Sequence, residues 1–310
     1  MDASRTVTSN NGDSIPVLGA YISLLLAYDA DCLGAGFGVW DPKVQHGVDT
    51  ELSKHFDATL IYGTQEPLGE AIRRSGVPRK QFFICTKFPW NLHGRIGGSL
   101  NESLEIPGVD YVDLFLMRWA QYVVYEKDNF LPKNTDRIAG VTEERNSNQS
   151  WEAMEKLLET GKCKAVGITN FSIKTFFAFL QIDLPANKLH PYLVQEELVQ
   201  HCRAKSIVVV AYTPTGLDGV RKDPVIIELA EKYNTTSRQV ILARHRVRGV
   251  AGVPKCVDEG RQKGNRTLPV LEPEDVKRIS GLDKNDRLCN EVMEVNGTLW
   301  GWTYEQLGWA

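Results

Sequence analysis

From about residue 50 onward, short apolar runs alternate with amphipathic stretches, and this alternation constrains the fold more than any other feature of the chain. The strand-like runs are "DATLIYG" (57–63), "QFFICTKF" (81–88), "YVDLFLMRW" (111–119), "AVGIT" (165–169), "NKLH" (187–190), "SIVVVAY" (206–212) and "GVAGVP" (249–254). Short, mostly apolar runs suit strands buried on both faces, as a parallel sheet with helical crossovers requires, the fifth run (187–190) fitting least well. Seven such runs, with one more near the N-terminus, make the eight units of an α/β fold closed as a (β/α)8 TIM barrel. In that fold the C-terminal strand ends and the loops after them carry the chemistry. The other arrangement is an open doubly wound sheet. No GxGxxG opens a first βα unit, which weighs against it.

The intervening segments have helical spacing. "EPLGEAIRRSG" (66–76) closes on Gly76, a suitable residue just past a helix end. In "SNQSWEAMEKLLETGK" (147–162), Ser150 is the expected N-cap, Glu152 then falls in the first turn, and Gly161 ends the helix. "LVQEELVQHCRAK" (193–205), "PVIIELAEKYN" (224–234) and "SRQVILARHRV" (237–247) complete the pattern. Near the N-terminus, "NNGDSIPVLG" (10–19) reads as a hairpin entering a strand, and "GAGFGVW" (34–40) equally as the end of that strand. The segment at about 20–35 reads either as an insertion lengthening the first loop or as an unspliced intron or misassigned exon. The whole of 1–310 is expected to form a single domain. The tail 285–310, with its Trp-rich "GTLWGWTYEQLGWA" (297–310), is expected near the barrel mouth beside the substrate, or else as a cap on the outer helices.

A net charge of −3 on 310 residues, 42% of them hydrophobic, supplies no drive towards nucleic acid or an anionic membrane. The N-terminal segment lacks a signal-peptide apolar core, and "YISLLLAY" (21–28) is too short to span a bilayer. The six cysteines lie far apart with no CxxC, so they read as reduced thiols of a cytoplasmic protein. No metal ligands are assigned.

Four polar residues mark three successive strand candidates: Asp57 and Tyr62 bracket the first, and Lys87 and Arg118 end the next two. In a barrel these positions converge. A Lys beside a Tyr favours phenolate and lowers the phenol pKa from about 10, which makes a proton donor, and an Asp paired to the Lys holds it in place. Each residue alone also suits a solvated or packing role; their joint placement points to chemistry.

"HFDATLIYGTQEPLGEAI", "FFICTKFPW", "VDYVDLFLMRW", "WEAMEKLLETGKCKAVGITNF", "LHPYLVQEELVQHCRAKSIVVVAYTP" and "VPKCVDEGRQKGN" resemble, in order, the motifs of the aldo-keto reductase family, fungal-type aldehyde and sugar reductases in particular. The resemblance runs from about residue 50 to 275. It implies hydride transfer from NADPH to a small-molecule carbonyl by a monomer. Asp57, Tyr62 and Lys87 match three members of the family's catalytic tetrad, with Tyr62 protonating the developing alkoxide. Tyr212 matches the aromatic that stacks on the nicotinamide, followed by Thr213 and Pro214. Thr169 and Asn170 match the pair that holds the carboxamide. Lys255, Cys256, Arg261 and Asn265 match the adenosine 2′-phosphate and adenine site, where Lys and Arg suit a phosphate and favour NADPH over NADH. Trp40, Trp90 and Trp119 match aromatic walls of the substrate pocket.

The chain departs from the family pattern at the fourth tetrad position, where Arg118 stands for a His. Arginine stays protonated, so it cannot exchange protons, yet it donates several hydrogen bonds and stabilises an oxyanion. It also favours tyrosinate, or pairs with Asp57 and draws it from Lys87. Ordinary aldehyde reduction is therefore expected to be weakened, or the substrate to be an anion such as a carboxylate-bearing sugar. "PANK" (185–188) puts Ala186 where the family has a nicotinamide-contacting Gln and Lys188 where it has an acid. Cys256 replaces a Ser, and Gly264 a Glu. Two readings follow: a reductase altered at one catalytic position, and a pseudoenzyme that binds NADPH and acts through partners.

Overall fold

A computed structural model describes residues 6–8, 14–16, 20–21, 55–63, 65–126, 147–176, 185–254, 259–288, 297–299 and 301–309. Eight strands form one parallel sheet in strictly sequential order: β3 (Ala20–Tyr21), β4 (His55–Asp57), β5 (Phe83–Phe88), β6 (Val112–Met117), β7 (Cys163–Thr169), β8 (Pro185–Lys188), β9 (Val209–Tyr212) and β10 (Val250–Val253). Helices between them include α1 (Gln65–Ser75), α2 (Ile96–Glu105), α3 (Ser147–Leu158), α4 (Ile173–Phe176), α5 (Glu196–Ala204), α6 (Asp218–Arg221), α7 (Pro224–Lys232), α8 (Ser237–Val247), α9 (Glu259–Arg266) and α10 (Pro273–Ser280), with α11 (Tyr304–Leu307) in the tail. This is the (β/α)8 barrel. Ahead of it, β1 (Thr6–Thr8) and β2 (Ser14–Pro16) pair antiparallel, so the strand pair begins earlier than the hairpin expected at 10–19, and β3 supplies the additional N-terminal strand of the sheet.

The strand residues sort by parity. Phe83, Cys85, Leu114, Leu116, Ala165, Val208, Val210, Ala251 and Val253 pack in one cluster, while Ile84, Phe115, Met117, Val166 and Val209 join another with the helices. Successive side chains leave opposite faces of a strand, so these are the two sides of the sheet. Every residue of β6 is buried, as its apolar run Leu114–Met117 anticipates, and the one charged member, Asp113, is paired with Arg79 at 2.8 Å and Lys164 at 3.0 Å.

Several expected boundaries move. The 57–63 run is strand only up to Asp57. Leu60–Tyr62 then form a 3-10 turn, and Gly63 ends it in the left-handed region (φ 61°) with its N–H on the Leu60 carbonyl. The fifth run is displaced to Pro185–Lys188. Ser150 is not an N-cap: α3 already begins at Ser147, and the fully buried Ser150 hydroxyl instead meets His93 Nδ1 at 2.8 Å. Glu152 accordingly lies past the first turn. The segment 22–54, with most of the expected insertion, "GAGFGVW" and Trp40, lies outside the described residues. Cys85, Cys163 and Cys202 are buried free thiols, and burial pushes Cys163 up to about 11 and Cys202 to about 12. Among the described residues no helix is long and apolar enough to cross a membrane, and no group of His, Cys, Asp and Glu is placed to hold a metal ion.

Candidate active site

The C-terminal ends of β4 and β5 bring Asp57 and Lys87 together. Lys87 Nζ donates to Asp57 Oδ1 at 2.5 Å and to the Ala58 carbonyl at 3.2 Å, and both side chains are 6% exposed. A cation this deep keeps its charge only with a counter-ion and further acceptors, both of which it has. The carboxylate is thus committed to Lys87, against the option that Arg118 draws it away. The Thr59 hydroxyl ties the Lys87 carbonyl (2.9 Å), and Gln65 Nε2 holds the Thr86 hydroxyl (2.8 Å), so the strand carrying the lysine is fixed on both sides. Tyr62 ends the 3-10 turn five residues beyond Asp57; its side chain lies outside the described atoms.

Arg118 follows β6 directly and is half-buried. Its main-chain carbonyl accepts from Asn170 Nδ2 at 2.9 Å. Asn170 follows the buried Thr169 at the end of β7, with φ of 66°. Its Oδ1 accepts from the Tyr212 hydroxyl at the end of β9. Thr213 comes next with φ of 49°, and then buried Pro214, whose carbonyl meets His245 Nε2 at 2.9 Å. Two non-glycine residues in the left-handed region, at two strand ends that share a hydrogen bond, mark stored backbone strain of the kind that gathers at ligand sites. Lys188 Nζ lies 5.5 Å from the Tyr212 ring centre and donates to the Leu288 carbonyl.

Trp90 and Trp119 stack at 5.9 Å, both buried. Trp302 packs on Trp90 (6.0 Å) and Trp309 on Trp119 (5.6 Å), while the Arg287 guanidinium lies 4.4 Å over the Trp309 ring. Trp302, Trp309 and Arg287 were not among the sequence-derived site residues, although the Trp density of the tail was their visible signal. Arg287 had none. Arg261 and Asn265 are one helical turn apart on α9, Arg261 exposed and Asn265 buried. Lys255 and Cys256, the other two members expected at that site, lie outside the described residues.

The Aldo/keto reductase family matches residues 44–242. Among curated proteins, the chain is 33% identical to glycerol 2-dehydrogenase (NADP(+)) of Saccharomyces cerevisiae over 91% of this chain and 92% of that protein. It is 35% identical to the aldehyde reductase YPR1 of the same yeast, over the same shares. Among solved structures, an aldo-keto reductase complexed with NADPH (AKR2E5) superposes with a TM-score of 0.77 at 26% identity, covering 93% of this chain and 90% of that one. The aldose reductase of Schistosoma japonicum shares the fold with a TM-score of 0.84 at 21% identity, covering 96% and 98%. A family match over most of the barrel, a relative at 35% identity along nine-tenths of the chain and the Asp57–Lys87 pair at the strand ends together place this protein in the aldo/keto reductase family.

Proposed function

We propose that this aldo/keto reductase reduces the carbonyl of a small aldehyde, ketone or sugar bearing an anionic group, with Tyr62 as proton donor and Arg118 as the group that receives the anion. It is an NADP-dependent oxidoreductase. The observation that carries the reading is the buried Lys87–Asp57 pair one turn from Tyr62.

The side chains present suit a nicotinamide nucleotide. Tyr212 offers a half-buried aromatic ring, Asn170 a carboxamide able both to donate and to accept, and Thr169 a buried hydroxyl beside them. Arg261 adds an exposed guanidinium suited to a phosphate. When bound, NADPH supplies the hydride. Lys87, kept charged by Asp57, favours the ionised form of a neighbouring phenol and so brings Tyr62 towards the range where it releases its proton readily. Tyr62 passes that proton to the carbonyl oxygen as negative charge grows there. Arg118 remains a cation throughout and donates hydrogen bonds; it cannot take the proton back. A carboxylate on the substrate gives its planar fork a bidentate partner. Trp119, next to Arg118 in the chain, and the Trp90, Trp302 and Trp309 rings packed with it offer an apolar wall.

The test is NADPH consumption with a panel of neutral aldehydes and uronates, with Tyr62→Phe as control. Turnover of an anionic carbonyl at least a hundredfold above the control is the expected result. NADPH binding with no turnover above Tyr62→Phe on any member of the panel overturns it and favours the pseudoenzyme reading.

A further inference from the structure

Away from the catalytic strand ends, α8 carries the largest fully buried polar side chain among the described residues, Arg244, with 0% of its surface exposed. Its Nε donates to the Ser280 hydroxyl at 3.2 Å, but Nη1 and Nη2 are both buried without a hydrogen-bond partner. Arg248, one turn on, uses Nη2 on the Val194 carbonyl and on Glu196, and its Nη1 is likewise buried and unmatched. His190, in the turn after β8 and also 0% exposed, has neither ring nitrogen paired.

The charges acting on these groups do not balance. His190 sits in the field of Lys188, Arg244 and Arg287, and burial followed by those cations takes its pKa down to about 3, so it is neutral at pH 7. Arg244 is lowered to about 9 by burial and then Arg248, against Glu196 and Asp283, and so stays a cation. Neither carboxylate is spent on it. Glu196 accepts from Arg248 at 2.6 Å and from Gln200 at 2.6 Å, while Asp283 accepts the main-chain N–H groups of Val194 and Asn285. Arg287 covers a tryptophan, a neutral partner. Arg244 lies in the last turn of α8, where the helix dipole favours a cation. That field lowers the cost of the charge, but it leaves the guanidinium N–H groups without acceptors. Buried donors in this state cost as much as a lost hydrogen bond each, and more for a charged group.

We propose that Arg244 holds a small inorganic anion of chloride size on its Nη atoms, as the internal counter-ion of this part of the barrel. The Nη atoms supply four N–H donors in a fixed plane. The full burial of Arg244 selects a compact, weakly hydrated ion over a polyatomic one. No covalent step is involved, and the site is independent of the reading of the active site.

Bromide is the probe. Crystals of the unmodified protein soaked in sodium bromide are expected to show an anomalous peak within hydrogen-bonding reach of the Arg244 Nη atoms. In solution, the melting temperature is expected to rise by about 2 °C for each tenfold increase in bromide above its Kd, at ionic strength held constant with sodium gluconate. Arg244→Met, which keeps the stem and removes the fork, is expected to flatten that rise. If this variant does not fold, the diffraction experiment decides alone. A melting temperature indifferent to bromide, or anomalous peaks on the surface with none at Arg244, overturns the proposal and assigns the donors to water.

Discussion

Lys87 and Asp57 meet at 2.5 Å across adjacent parallel strands, each side chain 6% exposed. Their strands are in register, Asp57 opposite Cys85, which places the lysine two residues further along the same side of the neighbouring strand. The pair is therefore built by sheet geometry and not by a flexible loop. Asp57→Asn leaves a buried ammonium without its counter-charge. It is expected to cost about 3–5 kcal/mol of stability and to lower kcat/KM together. Urea denaturation and NADPH-consumption assays on one preparation check both halves. An Asn variant as stable as the parent would mean that Lys87 is neutral in the folded protein.

Arg118→Met keeps much of the side-chain volume and removes the charged fork. With a uronate as substrate, KM is expected to rise by roughly tenfold to a hundredfold, the loss of one charge-assisted bidentate contact of about 1.5–3 kcal/mol. With a neutral aldehyde, KM is expected to change little. Equal effects on both substrates would remove Arg118 from the anion-binding role.

Gly69, in the first half of α1, faces the turn after α2. A Cβ built there would stand 2.0 Å from the Pro107 carbonyl oxygen and 2.6 Å from its carbon. Backbone cannot yield as a side-chain tip does, so Gly69→Ala is expected to destabilise by about 1–3 kcal/mol or more, despite the better helix propensity of alanine. The shift in urea midpoint measures it.

Asp275, on α10, accepts from Lys232 at 2.7 Å and from the Tyr233 hydroxyl at 2.6 Å, and these bonds hold its carboxyl below the usual value. A group whose pKa is lowered on folding contributes stability that is fully present above the unfolded-state value, about 3.9 for Asp, and is lost as pH falls through the lower folded value. Asp275→Asn is therefore expected to be less stable at pH 7 and to lose less stability than the parent on acidification below about pH 4. Denaturation midpoints at successive pH values from 6 to 2.5 give the comparison. Parallel curves would show that the contact does not survive in solution.

Local periodicity made most of the barrel legible. The apolar run Leu114–Met117 of β6 and the spacing of Asp57 and Lys87 on neighbouring strands needed only the alternation of side chains to be read. The boundaries were less legible where a tertiary contact competed with a local preference. Ser150 has the chemistry of an N-cap, but a buried bond to His93, 57 residues away, takes its hydroxyl into the helix interior. The 57–63 run has strand composition, but the chain leaves the sheet after Asp57 and tightens into a 3-10 turn that carries Tyr62.

The amino-acid sequence by itself determined the repeating βα architecture and the identity of the polar residues at the strand ends, because both depend on spacing along the chain. Only the tertiary structure decided which partner each charge takes. Asp57 goes to Lys87, the Asn170 carboxamide joins the Arg118 carbonyl to the Tyr212 hydroxyl, and Arg244 is sealed in the interior with two nitrogens unmatched. Such pairings join residues tens of positions apart, and their strength comes from burial, which exists only once the barrel has formed.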